Sequence, residues 1–384
     1  MKALQFKTLL AVILLASCQS ALAQETHSTS HQPRAIYFPD IPGYLTLKCD
    51  FHIHSVFSDG SVWPDIRVKE ALRDSLDAIS LTEHLEYQPH KEDIPHPNRN
   101  RAYELASELA KEQPLMIVSG SEITREMPPG HANAIFLEDA NPLLVSDSLY
   151  AIDPMAPFKA AKAQGAFIFW NHPNWSAQYK DGIAKLAPMH HQLIGQGLLN
   201  GIEVVNDLTF SDEALQIALD HNLTIMGTSD IHGLVDWQYS VPQGGHRPIT
   251  LVFTKEKTKA AIKEGLLNRR TVAWFNHTLI GLDEYLIPLI KASLKVTKSE
   301  YQGETFVATV EVKNTTGVEY LLENQSAYSL HAHSSVVTVP PYGTTKLQVK
   351  TVTRLSEIEL TFRVLNAVTA PKTHPQIKFK ITLP

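Results

Sequence analysis

The sequence predicts an α/β domain built as a barrel of βα units, followed by a smaller all-β, sandwich-like domain. Three observations carry that expectation. Between about residues 43 and 285, seven short apolar runs alternate with amphipathic stretches, the pattern of strands and helices around a parallel sheet. Nine histidines and carboxylates, spread from His52 to His232, fall near the ends of those runs. From about residue 292 to 384 the pattern changes to short alternating strands broken by turn residues, the habit of a β-sandwich.

Residues 1–23 read as an export signal. Lys2 and Lys7 precede an apolar run from Leu9 to Ala16, and a small-residue segment ends at Ala21-Leu22-Ala23. The run is too short to cross a bilayer, so no integral membrane span is expected. Leu15-Ala16-Ser17-Cys18 also resembles a lipobox, in which Cys18 would carry the lipid anchor; of the two, cleavage after Ala23 is preferred. Either route takes the mature chain out of the cytoplasm, to a periplasmic or secreted location. Residues 24–42 are polar and rich in Ser, Thr, His and Pro, which reads as a tether in which His27 and His31 are solvated. Cys49 is then the one cysteine left in the folded part; it has no disulfide partner and is expected to act as a small buried hydrophobe.

The apolar runs of the first domain are LTLKCDFHI, DAISLT, LMIVSGSEI, HANAIFL, AFIFWN, GIEVVN and LTIMGTSD. Helical periodicity lies between them at Pro64 to Ser75, Asn100 to Lys111, Pro157 to Gln164 and Ser211 to His221. Seven units approach the number that closes a barrel. A helix from Lys257 to Asn268 and the segment Thr271 to Gly281 complete the domain. The second domain is read from FVATVEVKN, KLQVKTV, IELTFRVLN and IKFKITL, with Asn314, Pro340-Pro341 and Gly343 as turn residues. His331 and His333 there repeat a His-x-His spacing, but no carboxylate follows at a matching distance, so they are expected to be strand or loop residues.

If the runs form a parallel barrel, residues at their carboxyl ends gather at one rim, where such folds do their work. His52 and His54 end the first run, His84 follows the second, Glu122 ends the third, His172 follows the fifth, and Asp230 and His232 follow the seventh. His131 is the exception: it begins a run, which must then point the other way or be distorted. His-x-His on a strand turns both imidazoles to one face, where one ion can take both nitrogens. Asp59 in Ser58-Asp59-Gly60 fits either a turn or a ligand, and His131 and His172 fit either ligands or loop punctuation. Glu122 and Asp230 end strongly apolar runs, where a lone carboxylate is costly to bury, so metal ligation is the better account of both. The economical reading of the set is a multinuclear metal site. A net charge of −6 and a pI near 6.3 supply no general basic field, which argues against extended nucleic acid as a partner.

In order and residue type, the nine positions resemble the metal-binding pattern of the PHP (polymerase and histidinol phosphatase) superfamily, over about residues 45–281. The resemblance implies a distorted (β/α)7 barrel holding two or three divalent ions: one on His52, His54, Glu122 and Asp230, a second on Glu122, His131 and His172, and a third on Asp59, His84 and His232. Glu122 would bridge the first two. Manganese, zinc and iron all suit such a mixed donor set. The implied reaction is hydrolysis of small extracytoplasmic phosphodiesters or phosphomonoesters by a hydroxide held between ions about 3.5–4 Å apart. Glu122, Asp230 and His232 would then stand nearest the chemistry. Substrate contacts are expected from Arg125, Arg247, Asn206 and His246, with Arg99 and Arg101 further out and Tyr87, Trp175 and Trp237 as stacking candidates. The β-domain is expected to cap one end of the barrel or to mediate a homodimer. Two rival readings are a metal- or glycan-binding protein with a retired barrel site, and a hydrolase of amides or lactones.

Overall fold

The computed structural model describes residues 34–145 and 153–384; the segment expected to be an export signal, Cys18, His27 and His31 lie outside them. The first domain is assembled from β1 (Leu45–Asp50), β2 (Ala78–Ile79), β3 (Met116–Ile117), β4 (Gly120–Ile123), β5 (Ala132–Ile135) and β6 (Phe167–Trp170). It continues with β7 (Gly201–Asn206), β8 (Thr209–Phe210), β9 (Thr224–Thr228), β10 (Ile249–Thr254), β11 (Thr271–Phe275) and β12 (Thr278–Gly281). The helices between them form where the periodicity places them, at Pro64–Arg73, Arg101–Leu109, Ala156–Ala163, Asp212–Asp220 and Lys259–Leu267. Their starts have local causes. Pro64 supplies a fixed φ at a helix N-terminus, and the hydroxyls of Ser211 and Thr258 accept from the amides of Ala214 and Ala261.

These strands form two sheets. One runs β12-β11-β10-β1-β2-β3; the other runs β4-β5-β6-β7-β8, with β9 also on β7. They join at the rim through bridges between Ile53 and Ile231 and between His84 and Glu122. Further down, hydroxyls tie the seam: the amide of Gly227 donates to Thr250 Oγ1, Thr250 Oγ1 donates to Gly227 O, and Thr271 Oγ1 donates to Ile225 O. The ring is not uniformly parallel. β1-β2-β3 and β6-β7-β9 are parallel, whereas β10 is antiparallel to β1, and β5 is antiparallel to both β4 and β6. The reversal of β5 follows from its short connection, residues 124–131, because a parallel crossover needs about a dozen residues or more. The run LMIVSGSEI is likewise two strands, β3 and β4, in different sheets.

Part of the expected tether is structural. Ile36, Phe38 and Ile41 are buried, Phe38 meets Trp274 edge to face at 5.1 Å, and the amide of Ile36 donates to Asp74 O. The polar composition of residues 24–42 as a whole conceals this apolar series at its end.

Arg247 and His246 lie away from the rim cleft, which corrects their expected role as substrate contacts. Arg247 is buried, with Nε 2.9 Å from Asp74 Oδ2 and Nη1 3.3 Å from Asp50 Oδ2; Arg34 Nε completes the cluster 2.9 Å from Asp74 Oδ1. It ties the end of β1 to the first helix. His246 stacks on Trp274 at 3.4 Å, and burial pushes its pKa down to about 4.

The helix Asp283–Ser293 runs directly into the second domain, burying Leu286, Leu289 and Ile290. That domain comprises β13 (Leu294–Tyr301), β14 (Val307–Asn314), β15 (Tyr320–Asn324), β16 (Ser329–His331), β17 (Val336–Val339), β18 (Thr344–Lys350), β19 (Glu357–Val364), β20 (Ala367–Val368) and β21 (Gln376–Thr382). Sheets β13-β14-β18-β16 and β17-β15-β19-β21 face each other, with alternation such as Ile358, Leu360, Phe362 and Val364 pointing inward. β20 leaves the sandwich and extends the barrel sheet beside β12, Ala367 opposite Leu279. Asn366 Nδ2 donates to His277 O at 2.7 Å, so the two domains share backbone pairing as well as a continuous apolar core. Among the described residues no helix is long and apolar enough to cross a membrane.

Replacing Arg247 by methionine leaves Asp50 and Asp74 buried without their main cation. The expected outcome is a loss of about 3–5 kcal/mol in denaturant unfolding with metal content retained. A role in substrate binding would show instead as a raised KM at unchanged stability.

Candidate metal centre

β1 delivers His52 and His54 to the rim with their imidazoles on one face, while Ile53 between them turns into the apolar core. The two Nε2 atoms lie 3.0 Å apart. Glu122, from β4, sets Oε2 3.4 and 3.3 Å from them, and Asp230, after β9, sets Oδ1 3.1 Å from each. Asp230 Oδ1, Glu122 Oε2 and Asp59 Oδ1 are buried and accept no hydrogen bond. Buried carboxylate oxygens without donors are expensive, and a cation satisfies them. Donors around a tetrahedral ion with bonds of about 2.0–2.2 Å stand about 3.3–3.6 Å apart, close to the separations here, so the residues fit a metal.

Glu122 is the hub of the remaining set. Its Oε1 lies 2.9 Å from His131 Nδ1 and 3.5 Å from His172 Nε2, and Oε2 lies 2.9 Å from His84 Nδ1. Asp59 Oδ1 approaches His232 Nε2 at 3.2 Å, and Oδ2 approaches His84 Nε2 at 3.4 Å. All nine expected ligands therefore meet in one constellation. Its tightest groupings are His52, His54 and Glu122; His84, Glu122 and His131; and His54, Asp59, His84 and His232. The division into three sets is thus less sharp than the resemblance implies: His84 and His54 each face two groups, and His172 stands slightly outside the second.

The electrostatics follow from this packing. Burial raises the Glu122 carboxyl, but the imidazoles of His84, His52 and His131 outweigh it and hold the group well below the usual range. Asp59 is likewise opposed by burial and lowered by His232 and His84, and Asp230 by His52 and His54. Burial depresses His84, yet Glu122 and Asp59 raise it to about 10. Ligation needs these imidazoles deprotonated and these carboxylates charged, so metal binding is expected to release protons and to weaken as pH falls.

Several residues that hold the ligands escaped the sequence reading. Glu203 lies 2.7 Å from His52 Nδ1 and accepts from the amide of His172, Asn206 Nδ2 and Thr228 Oγ1. Its signal was a lone carboxylate inside the apolar run GIEVVN. Glu83 accepts from the Ser55 amide and from Ser58 Oγ, which stands 3.1 Å from His54 Nδ1. Arg67, fully buried, donates to the carbonyls of His54, Ile231, His232 and Gly233, clamping the first His-x-His loop to the loop carrying Asp230. Asp230 and His172 take φ of 50° and 30°, a left-handed conformation that costs a non-glycine residue on the order of 1–3 kcal/mol. Gly60 is needed for a different reason: a Cβ there would sit 2.7 Å from Ser55 N, so the turn that lifts Asp59 to His54 admits no side chain. Asp59-Gly60 is therefore both turn and site.

The constellation opens into a cleft of about 550 Å³ lined by His84, His131, His172, Asp230, His232 and Asn206 among others. An adjoining cleft of about 270 Å³ lies beside Tyr87, Arg125 and Met127, and Trp175 borders both. Asn206 Nδ2 donates to Asp230 Oδ2 at 3.3 Å. Arg125 is buried beneath the smaller cleft, 2.8 Å from Glu86 Oε1. Arg99 donates to Leu85 O, Arg101 pairs with Glu104 on the surface, and Trp237 is 81% exposed away from both clefts. His331 and His333 are exposed strand and loop residues of the second domain.

Residues 294–380 match the family model of an Ig-like domain. Over 91% of this chain and 99% of the other, the fold is similar to that of a two-domain protein from Bacteroides vulgatus containing a predicted PHP-like metal-dependent phosphoesterase, with 41% identity and a TM-score of 0.83. PsfC from Pseudomonas syringae is similar at 17% identity over 64% of this chain and 96% of its own, with a TM-score of 0.43. An amidohydrolase from Chromobacterium violaceum, with bound sulfate and no metal, is similar at 15% identity over 48% of this chain and 87% of its own, with a TM-score of 0.34. No functionally curated protein matches the chain.

Two substitutions separate ligation from support. Glu122→Gln is expected to lose at least one equivalent of metal while the far-UV spectrum stays native. Glu203→Gln should lower metal affinity about 10–100-fold, read by competition with a chelating dye, because it loosens His52 and His172 together. His331→Ala should leave the metal content unchanged.

Proposed function

The chain belongs to the family of two-domain proteins that join a PHP-like metal-dependent phosphoesterase domain to an Ig-like domain, and on that premise we propose that it hydrolyses small phosphate esters at the cluster centred on Glu122. The observation that carries this reading is the single buried carboxylate of Glu122, whose two oxygens face two different imidazole sets. Divalent ions, when bound, neutralise charge on the phosphoryl oxygens and lower the pKa of attacking water.

The chain's own residues do the rest. His52, His54, Glu122 and Asp230 define one position, and the groups around His131, His172, His84, Asp59 and His232 define neighbouring ones. Asn206 steadies Asp230 from the side opposite the imidazoles. His232, the most exposed of the nine, faces the open cleft, where it can orient the ester and the incoming water. In the net reaction a bond forms between water oxygen and phosphorus, the bond from phosphorus to the leaving oxygen breaks, and a proton of the water ends on that oxygen. The leader-like pattern of residues 1–23 supports an extracytoplasmic site of action.

The test is metal content together with turnover of bis(p-nitrophenyl) phosphate, p-nitrophenyl phosphate and a p-nitroanilide, with added manganese or zinc. Two or three ions and chelator-sensitive release from either phosphate are expected, and the preferred ester decides between diester and monoester chemistry. A folded, ion-loaded sample that cleaves only the anilide, or nothing, would overturn the reading.

A further inference from the structure

Beyond the ligands, the main cleft has a composition unsuited to a second anionic group. Among the described residues neither lysine nor arginine lines it; its outer wall is built from Asn174, Ser176, Asp207, Thr209 and Gln238, with Trp175 at the rim. The arginine of the adjoining cleft, Arg125, is paired with Glu86, and Arg247 is buried elsewhere. A substrate with a second phosphate or a carboxylate would meet Asp207 with no cation to offset it.

The same wall suits hydroxyl groups. A hydroxyl donates one hydrogen bond and accepts others, so it is recognised by amides, hydroxyls and carboxylates placed together. Asp207 is the best placed of these. Gln238 Nε2 and Tyr239 Oη both donate to its Oδ1, which fixes the carboxylate, and among the described residues its Oδ2 makes no hydrogen bond. Its φ of 49° is that of the tight turn joining β7 to β8, a conformation aspartate tolerates. Trp175 is 47% exposed although T-shaped contacts with His131 and His172, at 5.7 and 5.0 Å, anchor the indole beside the ligands. An anchored, half-exposed indole offers an apolar face to the C–H side of an aliphatic ring.

From these features we infer that the leaving group is an uncharged polyol, a monosaccharide or cyclitol, seated between Trp175 and Asp207. The inference rests on the phosphoesterase reading and specifies its substrate. Asp207 Oδ2 accepts from ring hydroxyls, Asn174, Ser176 and Gln238 complete the hydrogen bonding, and the ester phosphorus lies toward the nine-residue cluster.

The experiment measures kcat/KM of the full, manganese-loaded chain for a hexose monophosphate, an inositol monophosphate, methyl phosphate and a hexose bisphosphate, with p-nitrophenyl phosphate and its bis ester as controls. The expected result is at least one polyol monophosphate turned over 100-fold better than methyl phosphate and 10-fold better than the bisphosphate. Asp207→Asn and, independently, the surface substitution Trp175→Ala should each reduce the polyol preference over methyl phosphate at least tenfold, with metal content unchanged. Equal turnover of methyl and polyol phosphates, a preference for the bisphosphate, or a polyol preference that survives both substitutions would overturn the inference while the phosphoesterase reading stands. Failure of the controls as well would overturn both.

Discussion

A fully buried carboxylate governs this molecule. Glu122 sits at the end of a short apolar strand with no access to water, and only positive charge or hydrogen-bond donors make that position tolerable. The rim is built to supply them. Imidazoles approach both oxygens, Asn171 Nδ2 donates to Oε1, and Oε2 is left without a donor in the direction of His52 and His54. The histidines are held in turn by Glu203, Glu83 and Thr124, so the charge is distributed through a network in which removing one member exposes the next.

Holding such a network at the mouth of a barrel requires that the loops carrying it cannot move independently. Arg67 does this with a planar fork spread over four carbonyls from two loops distant in sequence. Arg247 does the same one layer below, between Asp50 and Asp74. Arg247 is expected, from the sequence, to contact an anionic substrate; like Arg67 it is consumed in support. The cleft that remains is correspondingly poor in cations, which makes any bound ions the main source of positive charge for a phosphoryl group.

The second domain belongs to the same mechanical unit. A helix passes into its first strand without a linker, and β20 returns to extend the barrel sheet. Shared backbone pairing and a common apolar core resist rotation of one domain on the other far better than a polar linker would.

By itself the sequence determined the order of elements, the change from βα units to a sandwich, and the nine residues that meet at the rim, because apolar periodicity and costly buried charge leave a local trace. The helix spans near 64, 101, 156, 212 and 259 were legible for that reason, whereas the run after His131 was read as either reversed or distorted. Only the tertiary structure decided the antiparallel setting of β5 and β10, the division of LMIVSGSEI between two sheets, and the packing of Ile36 and Phe38. It also separated the supporting residues Arg67, Arg247 and Glu203 from the groups that face the cleft. A buried strut and an exposed anion-binding arginine are the same residue in one dimension; they differ only in which distant carbonyls and carboxylates the fold brings within about 3 Å of the guanidinium.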